Sequence, residues 1–239
     1  MNLVLFSPEE LGAPLPRRDR RVEHLRKVLH KKPGDCFDAG VLGGAVGRGR
    51  IEAVGEAGEL YCAFEGRSPP PPKIPLRLGV GFPRPIQLRR LLRELAGFGV
   101  ACIDVIAADL GDKSYRATTL LEDGGARAAL IEGLEQARDT VLPEVCRFES
   151  LNAWIAAAGA ERHSGLLCAA CDTVDPRGSF ASLAPRYAAA AVAVGPERGW
   201  SARERALFDG AGFLRLSLGS RALRTETACI AACVLAGCR

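Results

Sequence analysis

Four consecutive prolines, Pro69–Pro72, sit inside the stretch "GRSPPPPKIP" and separate two parts of the chain with different patterns. Proline has no N–H to donate and a fixed φ, so such a run cannot continue a helix or sheet interior and forms a stiff, extended spacer. The sequence therefore predicts an N-terminal domain over residues 1–68, a proline-rich linker over 69–75 and a larger domain over 76–239. A chain of 239 residues suits one small and one large body.

Before the prolines, "DRRVEHLRKVLHKKPGD" spaces Val22, Leu25, Val28 and Leu29 at helical intervals, with Asp19 placed to cap the start and Pro33-Gly34 to stop the end. The segment from Arg17 to Lys32 holds eight Lys or Arg against two acids, in a chain whose formal net charge is only +4. A localised basic face suits neutralisation of a phosphate backbone, and a solvated surface helix can also be basic for solubility alone. Next come "CFDAGVLGGAVGRGRIEAVG" and "ELYCAFEG", which read as hairpins of a small barrel or sheet. "GGAVGRG" is not a dinucleotide-binding loop, because the strand-like "IEAVG" follows where a helix would have to open.

After the prolines, strands and helices alternate, which predicts an α/β domain with a mostly parallel sheet. "LRLGVGF" reads as strand, "PIQLRRLLRELAGFG" as helix, "VACIDVIAA" as strand, and Arg127–Arg138 as helix. "LNAWIAAAG" follows as helix and "SGLLCAA" as strand, and Trp154 on its alanine-rich helix reads as packing rather than a stacking platform. Two strand-loop-helix units close the chain. "AAAAVAV" runs into Gly195-Pro196-Glu197-Arg198-Gly199-Trp200, with Ser201 and Glu204 forming a capping box. "FLRLSL" runs into Gly219-Ser220-Arg221-Ala222-Leu223-Arg224, with Thr225 as the cap of the last helix. Both loops leave strand C-termini, where open α/β sheets place ligands. Glycines after strands also serve as plain turn formers, so the pattern leaves a functional and a structural reading open.

No uninterrupted apolar stretch reaches membrane length, and no basic segment precedes the short apolar start, so the expectation is a soluble, cytoplasmic protein with no membrane partner. Nine scattered cysteines in apolar surroundings fit small buried side chains in a reducing compartment. Cys168 and Cys171 resemble half a metal knuckle, but the second pair is missing, so no metal site is expected.

The stretch "AVGPERGWSARERALFDGAGFLRLSLGSRALRTETACIAA" closely resembles the C-terminal signature of the RsmE family of the SPOUT superfamily. That family comprises S-adenosylmethionine-dependent methyltransferases acting on N3 of a uridine in 16S ribosomal RNA of the small subunit. "HLRKVLHKKPGD" looks like its N-terminal RNA-binding segment, and "GLEQARDTVLPEV" is similar to its central helix and strand. The resemblance implies a PUA-like β-barrel, a SPOUT α/β domain with a C-terminal trefoil knot, and a homodimer. It implies a cofactor pocket of Val194, Gly195, Pro196, Glu197, Gly199, Leu218, Gly219, Leu223 and Thr225. RNA contacts are expected from Arg17, Arg18, Arg20, Arg21, Arg26, Lys27 and Arg84.

Methylation at N3 of uracil requires its proton to leave. Arg221 or Arg224 is expected to stabilise the developing anion, and Glu226 to orient the arginine or take the proton. A structural reading stands beside this one, in which Arg224 and Glu226 lock the knot or a dimer interface. Departures from the family pattern mark a variant branch: Arg198 replaces a loop glycine, at a cost if that position needs a positive φ. Gln87 stands near a common lysine, and Ala137-Arg138-Asp139 replaces "SGR". Two alternatives are a non-catalytic RNA-binding or ribosome-assembly protein on the same scaffold, and methylation of a different nucleotide.

Overall fold

The computed structural model describes residues 2–122, 124–160, 165–183 and 187–237. The chain groups into two compact units. The first takes Met1–Pro72 and Leu130–Leu142, and the second takes Lys73–Ala129 and Pro143–Arg239. The grouping departs from the sequence boundaries at Leu130–Leu142, which was expected in the C-terminal domain. Its attachment is made by the backbone: the amides of Asn2 and Leu3 donate to the Glu135 carbonyl at 3.2 and 2.9 Å, and Gly43 N donates to Thr140 O at 2.8 Å.

In the first unit, β1 (Val4–Phe6), β2 (Cys36–Val41), β3 (Val46–Val54) and β4 (Leu60–Ser68) form a sheet in that order. β1 runs parallel to β2, and the other pairs are antiparallel. Alternation along β3 turns Gly47, Gly49 and Ile51 inward and leaves Arg50 exposed. A Cβ at Gly49 would lie 2.3 Å from the Phe37 ring, and one at Gly47 would lie 1.9 Å from the Glu65 carbonyl oxygen. These glycines serve close packing within a hairpin, in line with the rejection of a dinucleotide loop.

The basic segment is not one regular helix. Asp19 caps it by accepting from Arg21 N at 2.8 Å, α1 covers only Arg20–Glu23, and a π-helical turn follows over His24–Val28. That turn breaks the 3.6-residue spacing, so Val22 and Leu25 are buried while Val28 and Leu29 are 61% and 44% exposed.

In the second unit, β5 (Ile74–Gly81), β6 (Val100–Ile106), β7 (Glu144–Phe148), β8 (Leu166–Cys171), β9 (Ala189–Val194) and β10 (Leu214–Leu216) form one parallel sheet. Their order is β10-β8-β9-β5-β6-β7. β5 starts inside the expected linker, since Pro75 near a strand start removes little from the ladder. Helices α2 (Pro85–Phe98), α3 (Gly125–Ala137), α4 (Leu151–Ala160), α5 (Ala202–Gly210) and α6 (Thr225–Gly237) complete the fold. α2 buries Leu88, Leu91, Leu92 and Leu95 as their spacing predicts, and ends at Gly99 with φ +77°.

One core cluster joins Trp154, Trp200, Phe208 and Phe213, with Trp200 edge-on to Phe208 at 4.9 Å between ring centroids. Asp104, fully buried in β6, is satisfied by Trp154 Nε1 at 2.7 Å and Arg77 Nε at 2.6 Å. Trp154 is therefore core, as expected. Cys229 and Cys233 are also buried. No helix is long and apolar enough to cross a membrane among the described residues.

Candidate functional site

Three loops leave the C-terminal ends of adjacent strands β10, β8 and β9 and enclose a cavity of about 220 Å³. Its wall comes from Cys171–Val174 after β8, Val194–Trp200 after β9, and Leu218, Gly219 and Arg221–Leu223 after β10, with Arg205 of α5 and Thr225 and Ala228 of α6.

The β9 loop is shaped by its small residues. A Cβ on Gly195 would come within 3.1 Å of Gly199 Cα and 3.4 Å of the Trp200 ring. Gly199 has φ +70° and donates its N–H to the Pro196 carbonyl at 2.8 Å, closing the turn. Behind the loop, buried Trp200 donates Nε1–H to the Cys171 carbonyl at 3.1 Å, which ties the β9 loop to the end of β8. Arg198 is not among the described non-glycine residues of positive φ. Its replacement of a glycine therefore costs no left-handed strain, a correction to the sequence expectation; the left-handed position is Gly199.

The start of α5 is fixed by the predicted capping box. Ser201 Oγ accepts from Glu204 N at 3.1 Å, and Glu204 Oε2 accepts from Ser201 N at 2.8 Å. The other oxygen of this buried carboxylate accepts from Asp109 N at 2.9 Å. Arg203 and Ser201 both donate to Asp109, at 2.6 Å each, and together hold its carboxyl below the usual range.

Beside the cavity, Asp172 is buried and accepts from Arg205 Nε at 2.7 Å, with Arg215 Nη1 at 3.5 Å. Arg215 also donates to the Val174 and Asp175 carbonyls at 3.0 Å each, and pairs with Asp209 at 2.9 Å. That pairing pulls the Asp209 carboxyl below its ordinary value. The network anchors the β8 loop. Arg198 and Arg221, in contrast, line the cavity with no side-chain hydrogen bond or ion pair to another described residue.

All nine residues expected around a cofactor (Val194, Gly195, Pro196, Glu197, Gly199, Leu218, Gly219, Leu223 and Thr225) line this one cavity. Thr225 does so in another way than expected: it is the first residue of α6, and its Oγ1 donates to the Gly195 carbonyl at 3.2 Å instead of capping the helix. Of the expected catalytic set, Arg221 lines the cavity, whereas Arg224 and Glu226 do not. No ion pair joins Arg224 to Glu226 among the described residues. Sequence reading missed Cys171–Val174 and Arg205. Its available signal was Asp172 directly after the apolar strand "LLCAAC".

The basic set divides. Arg17, Arg18, Arg26 and Lys27 are exposed, and Lys27 pairs with Glu23 at 2.8 Å. Arg20 reaches buried Glu135 through two 2.7 Å hydrogen bonds. Arg21 corrects the expectation of an RNA contact: it is buried and spends its donors on Glu10, Asp19 and the Leu5 carbonyl. Arg84, exposed beside the start of α2, donates Nε–H to Tyr115 Oη at 2.9 Å and lies within the electrostatic reach of Glu197. Cys168 and Cys171 are buried in β8. The described potential metal donors that cluster are Cys102, Glu144 and Cys146, whose thiols already donate to Asp104 and Glu144.

Residues 70–237 match the family of the RNA methyltransferase domain. The chain is 38% identical to the ribosomal RNA small subunit methyltransferase E of Treponema pallidum, over 98% of this chain and 90% of that one. Among solved structures, a Legionella pneumophila protein determined with the bound cofactor SAM superposes with a TM-score of 0.76 at 22% identity, covering 99% and 96% of the two chains. The ribosomal RNA small subunit methyltransferase E of Neisseria gonorrhoeae, bound to S-adenosyl methionine, gives 0.75 at 21% identity over 98% and 95%. These likenesses establish a shared fold.

Proposed function

The chain belongs to the RsmE family of small-subunit ribosomal RNA methyltransferases, and from that premise we propose that it methylates N3 of a specific uridine in 16S ribosomal RNA with S-adenosylmethionine as donor. The observation that carries this reading is the single cavity at the C-terminal ends of β8, β9 and β10, into which the separate loops at Gly195 and Gly219 both open.

The cavity suits the cofactor. Leu218, Leu223 and Ala228 offer an apolar wall for an adenine ring, and the glycine-lined β9 loop lets backbone groups approach a ligand without a Cβ between them. When bound, S-adenosylmethionine supplies an electrophilic methyl group on a sulfonium centre. The chain's own work lies at the base. Before N3 can attack the methyl carbon it has to give up its proton, which leaves negative charge shared with the flanking carbonyl oxygens; the new N3–methyl bond would replace the methyl–sulfur bond of the donor, which would leave as a neutral sulfide. Arg221, the arginine of the β10 loop that lines the cavity, stabilises that charge; Glu226, at the start of α6 and outside the cavity lining, is the acid assigned to receive the proton or orient the arginine. Arg224 takes the supporting position between them in sequence. Flipping the base out of its stack costs a few kcal/mol, roughly.

The rest of the family architecture follows as part of the same reading. The first unit is the PUA-like, RNA-holding domain, presenting Arg17, Arg18, Arg26 and Lys27, with Arg84 contacting RNA from the second unit. A C-terminal trefoil knot belongs to this reading; the strand order, with β10 beside β8 rather than β9, and the packing of α6 on β5 and β9 are compatible with it. The chain acts as a homodimer in the cytoplasm.

Calorimetric titration with S-adenosylmethionine, followed by mass mapping of 16S ribosomal RNA from a strain lacking the gene, tests the proposal. Cofactor binding and loss of one methylated uridine are expected. A chain that binds RNA but gives no heat with the donor is a non-catalytic scaffold, and loss of a different modified nucleotide moves the target.

A further inference from the structure

Two thiols and two carboxylates share one face at the edge of the parallel sheet. β6 carries Cys102-Ile103-Asp104 and β7 carries Glu144-Val145-Cys146, the same pair of residue types in reverse order. The parallel register sets Cys102 beside Glu144 and Asp104 beside Cys146. Side chains two residues apart on a strand point to the same face. Each thiol therefore has one carboxylate along its own strand and another across the ladder. The contacts follow this pattern: Cys102 Sγ donates to Asp104 Oδ1 at 3.2 Å, and Cys146 Sγ donates to Glu144 Oε1 at 3.3 Å. The two sulfurs and a Glu144 oxygen all lie within 4.8 Å of one another.

The cluster is fixed on one side and open on the other. Asp104 is fully buried, and its Oδ2 accepts from both Trp154 Nε1 and Arg77 Nε, which leaves Oδ1 turned to Cys102. Glu144 is exposed and Cys146 half-buried, and β7 is the last strand on its side of the sheet, so a small ion reaches the sulfurs from solvent. The cluster lies toward the N-terminal ends of β6 and β7, whereas the loops of the β8–β10 cavity leave C-terminal strand ends.

We propose that Cys102, Cys146 and Glu144 bind a zinc ion, with a water in the fourth position. Two soft sulfurs select zinc over magnesium or calcium, which take oxygen donors. With zinc's usual bond lengths, the sulfur-to-oxygen edge of the coordination tetrahedron is roughly 3.5 Å. Cys146 Sγ and Glu144 Oε1 already stand close to that, at 3.3 Å. The exchange balances: two S–H bonds break, two zinc–sulfur bonds form and two protons pass to solvent, so the ion enters without changing the charge of the cluster. The ion ties β7 to β6 across the ladder and stabilises a strand that otherwise has a neighbour on one flank only.

The test uses the full chain, reduced and stripped with a chelator, then titrated with cobalt(II) as a visible probe and with zinc. One equivalent of cobalt is expected to give the visible absorption of a tetrahedral thiolate site, and zinc to displace it. About two protons should be released per ion in weakly buffered solution, and the melting temperature should rise by a few degrees at saturating zinc. Cys146→Ser is expected to lose the absorption and the thermal shift, while its metal-free melting temperature stays close to that of the wild type. Glu144→Gln, at an exposed position, should weaken zinc binding about tenfold. Cys36→Ser, which removes an exposed thiol of the first unit, should leave both signals intact. A wild-type chain without the cobalt absorption at one equivalent overturns the site. So does an absorption that survives in Cys146→Ser, a zinc affinity unchanged in Glu144→Gln, or an equal loss in Cys36→Ser. None of these readouts depends on cofactor or RNA, so their failure leaves the methyltransferase reading standing.

Discussion

Thr225 Oγ1 donates to the carbonyl of Gly195 at 3.2 Å, a hydrogen bond between residues 30 positions apart that joins the start of α6 to the β9 loop. Both residues line the cavity between the strand ends, and Thr225 is 4% exposed, so the bond is made away from water. Removing it leaves a buried carbonyl unpaired, at about 1 kcal/mol or somewhat more. Thr225→Val is therefore expected to weaken S-adenosylmethionine binding about five- to tenfold by calorimetry and to lower the melting temperature by a few degrees. Thr225→Ser keeps the hydroxyl and is expected to bind as the wild type does. Wild-type affinity and melting temperature in Thr225→Val would show that the hydrogen bond carries neither effect.

Gly195 and Gly199 fail for different reasons when given a side chain. At Gly195 the new Cβ meets Gly199 Cα at 3.1 Å and the Trp200 ring at 3.4 Å, so the loop itself has to shift. At Gly199 a Cβ finds open space, and the difficulty is φ +70°. Gly199→Ala is expected to cost about 1 kcal/mol in stability with cofactor affinity reduced only a few fold. Gly195→Ala should reduce affinity tenfold or more, on the order of 1.4 kcal/mol, because it deforms the wall of the cavity. Paired melting curves and titrations separate the two, and the reverse ranking in affinity would contradict this geometry.

Arg21 acts on stability rather than on RNA. Its hydrogen bond lowers the Glu10 carboxyl below the usual range; at Asp19 burial works against ionisation, but the Arg21 hydrogen bonds outweigh it and that carboxyl is lowered too. Groups with depressed folded values contribute stability above their unfolded values, near pH ~4, and lose it as pH falls through the folded ones. Arg21→Ala is expected to cost roughly 2–3 kcal/mol near neutral pH, less than for a fully buried pair because both acids are partly exposed. The gap to wild type should shrink below about pH 4. Urea melts of both proteins across that range check it, and a pH-independent gap would mean that packing, not charge, carries the effect. Glu135 runs the other way, since burial raises its carboxyl against the opposing pull of Arg20, so its ionised form is not a source of stability.

What the sequence made legible was local. Glycine after an apolar strand, Ser201 before Glu204 and the leucine spacing of α2 each act within a few residues, and each is found in the fold. Relations set by sheet order were not legible. Asp172 meets Arg215 because β10 pairs with β8, and Arg205 reaches it from α5; no local pattern encodes which elements are neighbours. The N-terminal cations show the same limit. Their helical spacing ignored the π-helical turn, and a count of basic residues cannot tell Arg21, enclosed by two acids, from exposed Arg17. The nine residues that line one cavity came from a signature, which carries long-range geometry that periodicity lacks. Arg198 shows that one departure from it is tolerated, because the strained position is the next residue.

The division of labour among Arg221, Arg224 and Glu226 is the sharpest test of the chemistry. Arg221 lines the cavity and has no side-chain partner among the described residues, so its positive charge is not already spent on a neighbouring carboxylate. Arg224 lies outside the lining. Loss of a preorganised charge facing a developing anion costs about 10²- to 10³-fold in kcat, whereas loss of a surface cation costs RNA affinity alone. Arg221→Gln is thus expected to lower kcat by that factor with cofactor affinity within threefold, and Arg224→Gln to lower it by less than tenfold. Glu226→Gln should slow transfer while cofactor binding persists. If Glu226 receives the proton, raising the pH restores part of the lost rate, because hydroxide or buffer base can then take its place. A rate that is low at every pH leaves Glu226 as the residue that orients Arg221, and full turnover removes it from the reaction. Single-turnover methylation of the RNA across a pH series, with calorimetry of the cofactor alongside, distinguishes these outcomes.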